Sequence, residues 1–353
     1  MRLCEVLLVS CLKYLAFVVM GVSYSWEKWE NNWVSQFLSK CDASVMGDAA
    51  AVLNNGGLVA FPTETVYGLG ADACNETAVG RIYSVKGRPA DHPLIVHVPS
   101  MDSLGEWAAD VPTYAIALAR DYWPGPMTLV VKRSDLAADF ITGGQDTVGV
   151  RVPNHPVALG LLEAFARAGG KGVAAPSANR FGNVSPTTAN AVSDELSDYL
   201  AQSDLILDGG ACAVGVESTI IDCTGGMPKI LRPGAITEEM IAHTTGLEVL
   251  DADGVAIRVS GSLESHYSPL AKVVLDHSPS VGQGFIAMAD VASAAGVIRL
   301  ASPTTHDEFA RALYSALRAA DEKGLETVVV QQPIGDGIAI AIRDRLARSA
   351  KGR

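Results

Sequence analysis

The sequence predicts an α/β protein built on a mixed sheet, followed by a second, smaller α/β unit at the C-terminal end. Three observations carry that expectation. Short apolar strands alternate with segments of helical period from about residue 46 onward. Several of the strands lie too close together along the chain for a purely doubly wound sheet. The chain has 353 residues, more than one hydrophobic core usually serves, so two domains are expected.

Taken in order, the elements are these. A helix begins at Met46 and runs through Ala-rich sequence toward Gly56-Gly57. Residues 58–61 form a short buried strand, 76–85 a helix and 94–98 a strand ended by Pro99. The segment 112–122 reads as a helix with Pro112 near its start, where a missing amide hydrogen is tolerated. Residues 127–132 and 147–152 alternate as strands, 157–168 is helical, and 173–175 is a strand tip. Helical spacing returns over 188–200, and strands over 205–207 and 219–222. Periodicity lapses between about 245 and 272, where Ser and Gly collect in Val259-Ser-Gly-Ser-Leu-Glu-Ser-His-Tyr-Ser-Pro269. A strand over 284–288, a helix over 306–323, a strand over 327–331 and a helix over 337–349 then make the smaller unit.

These breaks divide the chain into an N-terminal extension (1–45), a larger α/β domain (46–244), a linker (245–272) and a C-terminal domain (273–353). The extension is apolar from Leu3 to Val22, with Lys13 in its middle. It reads either as a segment ahead of the true start, as an anchor or signal, or as a packed helix; Lys13 is costly at a bilayer centre. No stable membrane association is expected. Six cysteines without a CxxC pair fit reduced thiols and a cytoplasmic protein. A net charge of -12 argues against a broad nucleic-acid surface while leaving room for a local basic pocket.

The chemistry concentrates in a few motifs. Phe61-Pro-Thr-Glu-Thr-Val-Tyr-Gly-Leu-Gly70 joins a strand to a hydroxyl-rich turn, and Lys86-Gly-Arg-Pro-Ala-Asp-His-Pro-Leu94 follows it with two cations. Lys86 and Arg88 either grip a polyanion, the Arg as a fork and the Lys as a point charge, or offset the dipole of their own helix. Ser177 and Asn179, in Ala175-Pro-Ser-Ala-Asn179, sit at a strand mouth where α/β proteins collect ligands, though Ser, Asn and Pro also simply form turns. Arg151, in Val148-Gly-Val-Arg-Val-Pro-Asn-His155, lies on a strand of small and branched apolar residues. Buried there it needs an anion, either a substrate carboxylate or an internal Asp or Glu. Gly215-Val-Glu-Ser-Thr219 and Leu231-Arg-Pro-Gly234 complete the set.

In this order, together with Pro124-Gly-Pro-Met-Thr128, the motifs resemble the YrdC-like family of L-threonylcarbamoyladenylate synthases in its two-domain form. The resemblance covers roughly residue 49 to the C-terminus. It implies a YrdC-like twisted sheet with a concave, positively charged cavity, a smaller Rossmann-like C-terminal domain, and a linker motif ending at His266-Tyr267-Ser-Pro269 that closes over the cavity. The implied reaction condenses L-threonine, bicarbonate and ATP to threonylcarbamoyl-AMP and pyrophosphate. Its product feeds a threonylcarbamoyl-transferase complex that modifies adenosine 37 of tRNAs reading ANN codons.

Carried over by motif, Lys86 and Arg88 hold phosphates and serve as the catalytic cations. Arg88, His92, Thr147, Ser177, Ser185, Arg232 and Tyr267 contact ATP. Thr65, His97, Arg151, Ala175 and Ser218 hold L-threonine, and Asn179 is a further polar candidate. Mg²⁺ is expected on the ATP phosphates and not on the protein. His92 stands where the family commonly has Asn, Ser260-Gly261 lacks an intervening Pro, and Ser268 replaces a common Ala. A tRNA- or double-stranded-RNA-binding module is the rival reading, as is a carbamoyl-transferring enzyme, which fits poorly without cysteine zinc spacing.

Overall fold

The computed structural model describes residues 36–37, 43–251, 257–261 and 266–352. Most of the extension expected over 1–45 lies outside the described residues, as do 252–256 and 262–265 of the linker. The strands run, in chain order, β1 (Gln36–Phe37), β2 (Val59–Phe61), β3 (Gly68–Asp72), β4 (Ile95–His97), β5 (Ala108–Asp110), β6 (Met127–Arg133), β7 (Thr147–Arg151), β8 (Val173–Ala174), β9 (Leu205–Leu207), β10 (Thr219–Asp222), β11 (Lys229–Arg232) and β12 (Leu250–Asp251). β13 (Lys272–Leu275), β14 (Gly284–Ile286), β15 (Ile298–Ala301) and β16 (Thr327–Val330) follow.

The first twelve strands form one twisted mixed sheet in the order β1-β9-β2-β3-β8-β4-β7-β6-β10-β11-β12, with β5 alongside β6. Both pairing senses occur: β4 and β7 run parallel, while β6 and β7 run antiparallel. The last four make a separate, wholly parallel sheet in the order β13-β16-β14-β15. This is the α/β class the sequence predicts, with a mixed sheet and a smaller second unit.

Helices form where caps and apolar spacing agree. Asn75 caps Glu76–Lys86 by accepting from the Ala78 amide, and Gly87 ends it at φ 61, in the left-handed region that glycine enters at least cost. Helix His306–Glu322 is capped by Thr305 and buries Phe309, Leu313, Ala316, Leu317 and Ala320 along one face. Among the described residues, apolar clusters pack against both sheets, and one joins Val66 and Val216 of the larger domain to Phe309 and Leu313 of the smaller; the largest gathers Leu69, Ile82, Val96, Trp107 and Val150 at 0 % exposure.

Several elements depart from expectation. The first helix among the described residues is Ala43–Asn54, so the boundary expected at 45/46 falls inside it. Met46 instead packs into an apolar cluster with Phe61 and Leu161. β3 was not expected, because its Gly-Leu-Gly-Ala-Asp sequence carries little strand propensity. It forms because β2 and β3 pair as an antiparallel hairpin. At Gly70 an added Cβ would lie 2.7 Å from Val173 Cγ1 and 3.1 Å from the Val59 carbonyl, so only glycine admits the neighbouring strand. The helix Glu238–Thr245, bounded by Thr237 and Gly246, was also missed. The one expected over 188–200 ends at Leu196.

Candidate active site

The β2–β3 hairpin explains the longest motif: Thr63, Thr65, Val66 and Tyr67 form its loop and line a cavity at the centre of the large sheet. Around the same cavity stand Arg88, His97, Arg151, Ala175, Ser177, Ser218 and Arg232, joined by Ser260, Gly261, His266 and Tyr267 from the linker. Residues far apart in sequence thus converge, and the described part of the linker closes one side.

The lining residues fall into two hydrogen-bonded groups. In the first, Arg151 is ion-paired with Glu64 at 2.8 Å and donates to Thr65 Oγ1 at 3.0 Å. The Thr63 hydroxyl donates to the Val66 carbonyl at 2.7 Å, so its 2.8 Å contact with Thr65 is made with Thr65 as donor. His97 faces Arg151 across the β4–β7 register and meets Phe61 edge-on. Burial, then the Arg151 charge, lowers His97 to about 3, so its ring is neutral, and Nδ1 has no hydrogen-bond partner among the described residues.

In the second group, Arg232 donates to the Ser218 carbonyl at 3.1 and 2.9 Å, to Ser218 Oγ at 3.1 Å and to the Ser260 carbonyl at 2.7 Å. Arg88 donates to the Pro93 carbonyl and to Ser260 Oγ. Ser218 Oγ also lies 2.8 Å from Thr128 Oγ1. Arg88 and Arg232 are only 7 % and 4 % exposed, yet neither pairs with a carboxylate among the described residues. Burial lowers Arg88 to about 10 and also lowers Arg232. Two buried guanidiniums without counter-ions are expensive unless an anion completes them.

Glu217 is the carboxylate among the described residues lining this cavity, and it is fully engaged. It accepts from Ser185 Oγ at 2.7 Å, Tyr314 Oη at 2.8 Å and Arg345 Nε at 2.9 Å. Burial pushes its carboxyl up, but Arg345 and then Arg232 outweigh burial and hold it at about 2. Among the described residues the cavity therefore holds two positive charges with no ion-paired carboxylate, while the chain as a whole carries -12.

Not every expected site residue lines this cavity. Lys86 is buried and its Nζ donates to the carbonyls of Ser177 (2.6 Å) and Asn179. It is a strut beneath the Ser177 loop and is not among the residues lining the cavity, whereas the sequence reading has it at the phosphates. Asn179 turns its amide inward to the Arg180 and Asn183 carbonyls. Ser185 is committed to Glu217. Thr147 lines an adjoining cavity with Val130, Gln145 and Arg258, which shares Ile95 and Ser260 with the main one. His92 is half-buried beside Phe181, ring centroids 5.4 Å apart. Of the two partners left open for Arg151, the internal one is present as Glu64.

Sequence reasoning missed Glu217, Ser260 and Thr63 as site residues. Glu217 had a signal: a carboxylate two residues before the wholly buried strand β10 needs a dedicated partner. Among the described residues no group of three His, Cys, Asp or Glu side chains is placed to hold a metal. No helix there is long and apolar enough to cross a membrane.

A mixed sheet whose hairpin loop, cations and linker enclose an anion-ready cavity, joined to a small parallel domain, defines an enzyme of the YrdC-like class. The family profile described as "Telomere recombination" matches residues 51–234, and that described as "Threonylcarbamoyl-AMP synthase, C-terminal domain" matches 236–351. The Threonylcarbamoyl-AMP synthase of Pyrococcus abyssi is 38% identical over 323 residues, spanning 86% of this chain and 93% of that protein. That of Bacillus subtilis is 37% identical over 342 residues, spanning 91% and 96%. A crystal structure of P. abyssi Sua5 complexed with L-threonine superposes with a TM-score of 0.80 at 35% identity, covering 90% of this chain and 97% of that one. The chain belongs to the threonylcarbamoyl-AMP synthase family. The resemblance read from the motifs thus holds, and a synthase of nucleotidyl-transferring type takes the place of the RNA-binding alternative.

Proposed function

We propose that this enzyme condenses L-threonine, bicarbonate and ATP at the cavity described above. The observation that carries the reading is the pair of buried arginines, Arg88 and Arg232, that have no carboxylate partner among the described residues, beside a second group centred on Arg151. One group suits a triphosphate and the other an amino-acid carboxylate. The P. abyssi relative is solved in complex with L-threonine, and the same chemistry suits Thr65, His97, Arg151, Ala175 and Ser218 here.

In this reading the threonine amine attacks bicarbonate, water leaves, and a carbamate forms. The carbamate oxygen then attacks the α-phosphorus of ATP, the bond to the β-phosphate bridge breaks, and pyrophosphate departs. Arg88, Arg232, Ser177 and Tyr267 receive the phosphates, and Thr147 and His92 contact the rest of the nucleotide. Ser185 acts through Glu217. Neutral His97 accepts a hydrogen bond and holds the substrate without taking a permanent proton. Magnesium enters as part of the MgATP substrate, since the cavity's described carboxylate is already engaged. Catalysis is by proximity and charge neutralisation, with no covalent enzyme intermediate. The product passes to a threonylcarbamoyl-transferase complex acting on tRNA, and a cytoplasmic location suits the free cysteines Cys74, Cys212 and Cys223.

The purified protein is expected to convert ATP to pyrophosphate only when threonine and bicarbonate are both present. Equal pyrophosphate release with threonine omitted sinks the proposal.

A further inference from the structure

The C-terminal domain reaches the cavity through one buried ion pair. Arg345, on helix Ile338–Ser349, is 1 % exposed, and its Nε donates to Glu217 Oε2 at 2.9 Å. Its other nitrogens donate to the Pro233 carbonyl at 2.9 Å and to Asp344 at 2.6 Å. From helix His306–Glu322, Tyr314 donates to the same Glu217 oxygen at 2.8 Å. Arg318 on that helix is paired with Glu195 at 3.2 Å, and Arg311 donates to the Ala213 carbonyl at 2.8 Å. The helix therefore meets the catalytic domain along one stripe. Tyr267 of the linker sits inside the junction, stacked on Tyr314 with centroids 5.6 Å apart, and the Arg345 guanidinium lies 5.6 Å from its ring centroid.

Glu217 lines the cavity next to Ser218, whose carbonyl and hydroxyl both accept from Arg232. A buried carboxylate there already feels the Arg232 charge and would draw on it far more if it had no other cation. Arg345 is that other cation. We propose that Arg345 is a positioning residue of the reaction: from the C-terminal domain it supplies the counter-charge for Glu217, and thereby leaves the Arg232 charge available to an anionic nucleotide. This rests on the ATP reading given above. It assigns the C-terminal domain a task in substrate binding without any contact between that domain and the substrate.

The test compares wild type, Arg345→Met and the double variant Glu217→Gln/Arg345→Met, all full-length, in the threonine-dependent pyrophosphate assay. MgATP and threonine are titrated separately. For Arg345→Met the ATP KM should rise at least tenfold while the threonine KM stays within twofold. The double variant has neither charge and should bring the ATP KM back to within threefold of wild type. A purely structural pair would also be relieved by removing the second partner, but it would move the ATP and threonine requirements together, so the split between the two KM values is the readout that separates the roles. An ATP KM within twofold of wild type for Arg345→Met, or a double variant no better than the single one, overturns the proposal. Should Arg345→Met not fold, the double variant decides alone: within threefold supports, beyond tenfold overturns. Failure of the wild type to depend on threonine and bicarbonate would instead refute the underlying reaction, so the two failures are distinct.

Discussion

Arg88 and Arg151 are both buried cations in one cavity, and their surroundings give them opposite mutational signatures. Arg88 has no carboxylate partner among the described residues, whereas Arg151 pairs with Glu64. Replacing Arg88 by Met removes an uncompensated buried charge together with a charge-assisted contact worth about 1.5–3 kcal/mol. The expected outcome is ATP binding weakened roughly ten- to hundredfold by calorimetry, with a melting temperature unchanged or higher. Weaker ATP binding accompanied by a large fall in melting temperature would contradict this. Arg151→Ala strands Glu64, so it should cost roughly 3–5 kcal/mol of stability and raise the threonine requirement far more than the ATP requirement. A change confined to ATP would overturn its assigned role.

At the scale of elements, the hairpin β2–β3 and the linker both line the cavity, and each depends on a glycine. Gly261 has φ +82, and an added Cβ would lie 2.3 Å from the Tyr267 hydroxyl and 3.1 Å from an Arg232 guanidinium nitrogen. Gly261→Ala must therefore displace Tyr267 or the linker backbone. Because the described linker segments are short and the conflict is local, global stability should fall by only about 1 kcal/mol. Turnover should drop at least tenfold in the pyrophosphate assay. Full activity with an unmoved Tyr267 would show that this side of the cavity tolerates what the geometry forbids. The element scale also shows why short strands escape sequence reading. β13 and β15 have four residues each, and β5 has three. Such runs become strands through pairing, not through their own propensity.

For the whole molecule, the cavity's neutrality at its histidines links function to acid stability. His97 and His266 are 4 % and 5 % exposed, and burial lowers both from 6.5 to about 3, with neighbouring cations adding to the effect. The unfolded chain binds those protons first as pH falls. Their contribution is therefore intact above about pH 6.5 and is lost as pH falls toward 3. Each histidine loses up to about 1.4 kcal/mol per pH unit in that window. Urea midpoints followed by circular dichroism should drop between pH 6.5 and 5.5, and His266→Gln should flatten the slope. A midpoint constant over that range, or a variant with the wild-type slope, would rule out this account. The same burial leaves an acidic protein with a local positive cavity, which concentrates anionic substrates without creating a general nucleic-acid surface.

Much of this was legible along the chain. The α/β class, the smaller second unit and the motif order follow from hydrophobic period and from residue types that only a polar site needs, as with Arg151 among apolar neighbours on β7. Arg88 and Ser177 could be singled out for the same reason, whereas Thr65 and Arg232 followed only from the order of the motifs. What the sequence could not reveal is which charges cancel. Lys86 and Arg88 look alike in a Lys-Gly-Arg run, yet Gly87 turns the chain so that one props a loop through carbonyls and the other enters the cavity. Arg345 lies more than a hundred residues from Glu217 along the chain, and only packing of the C-terminal helices brings them within 2.9 Å. Local sequence determines propensity and chemistry; the sign of the field at the cavity is a sum over distances, and those are decided by the tertiary fold.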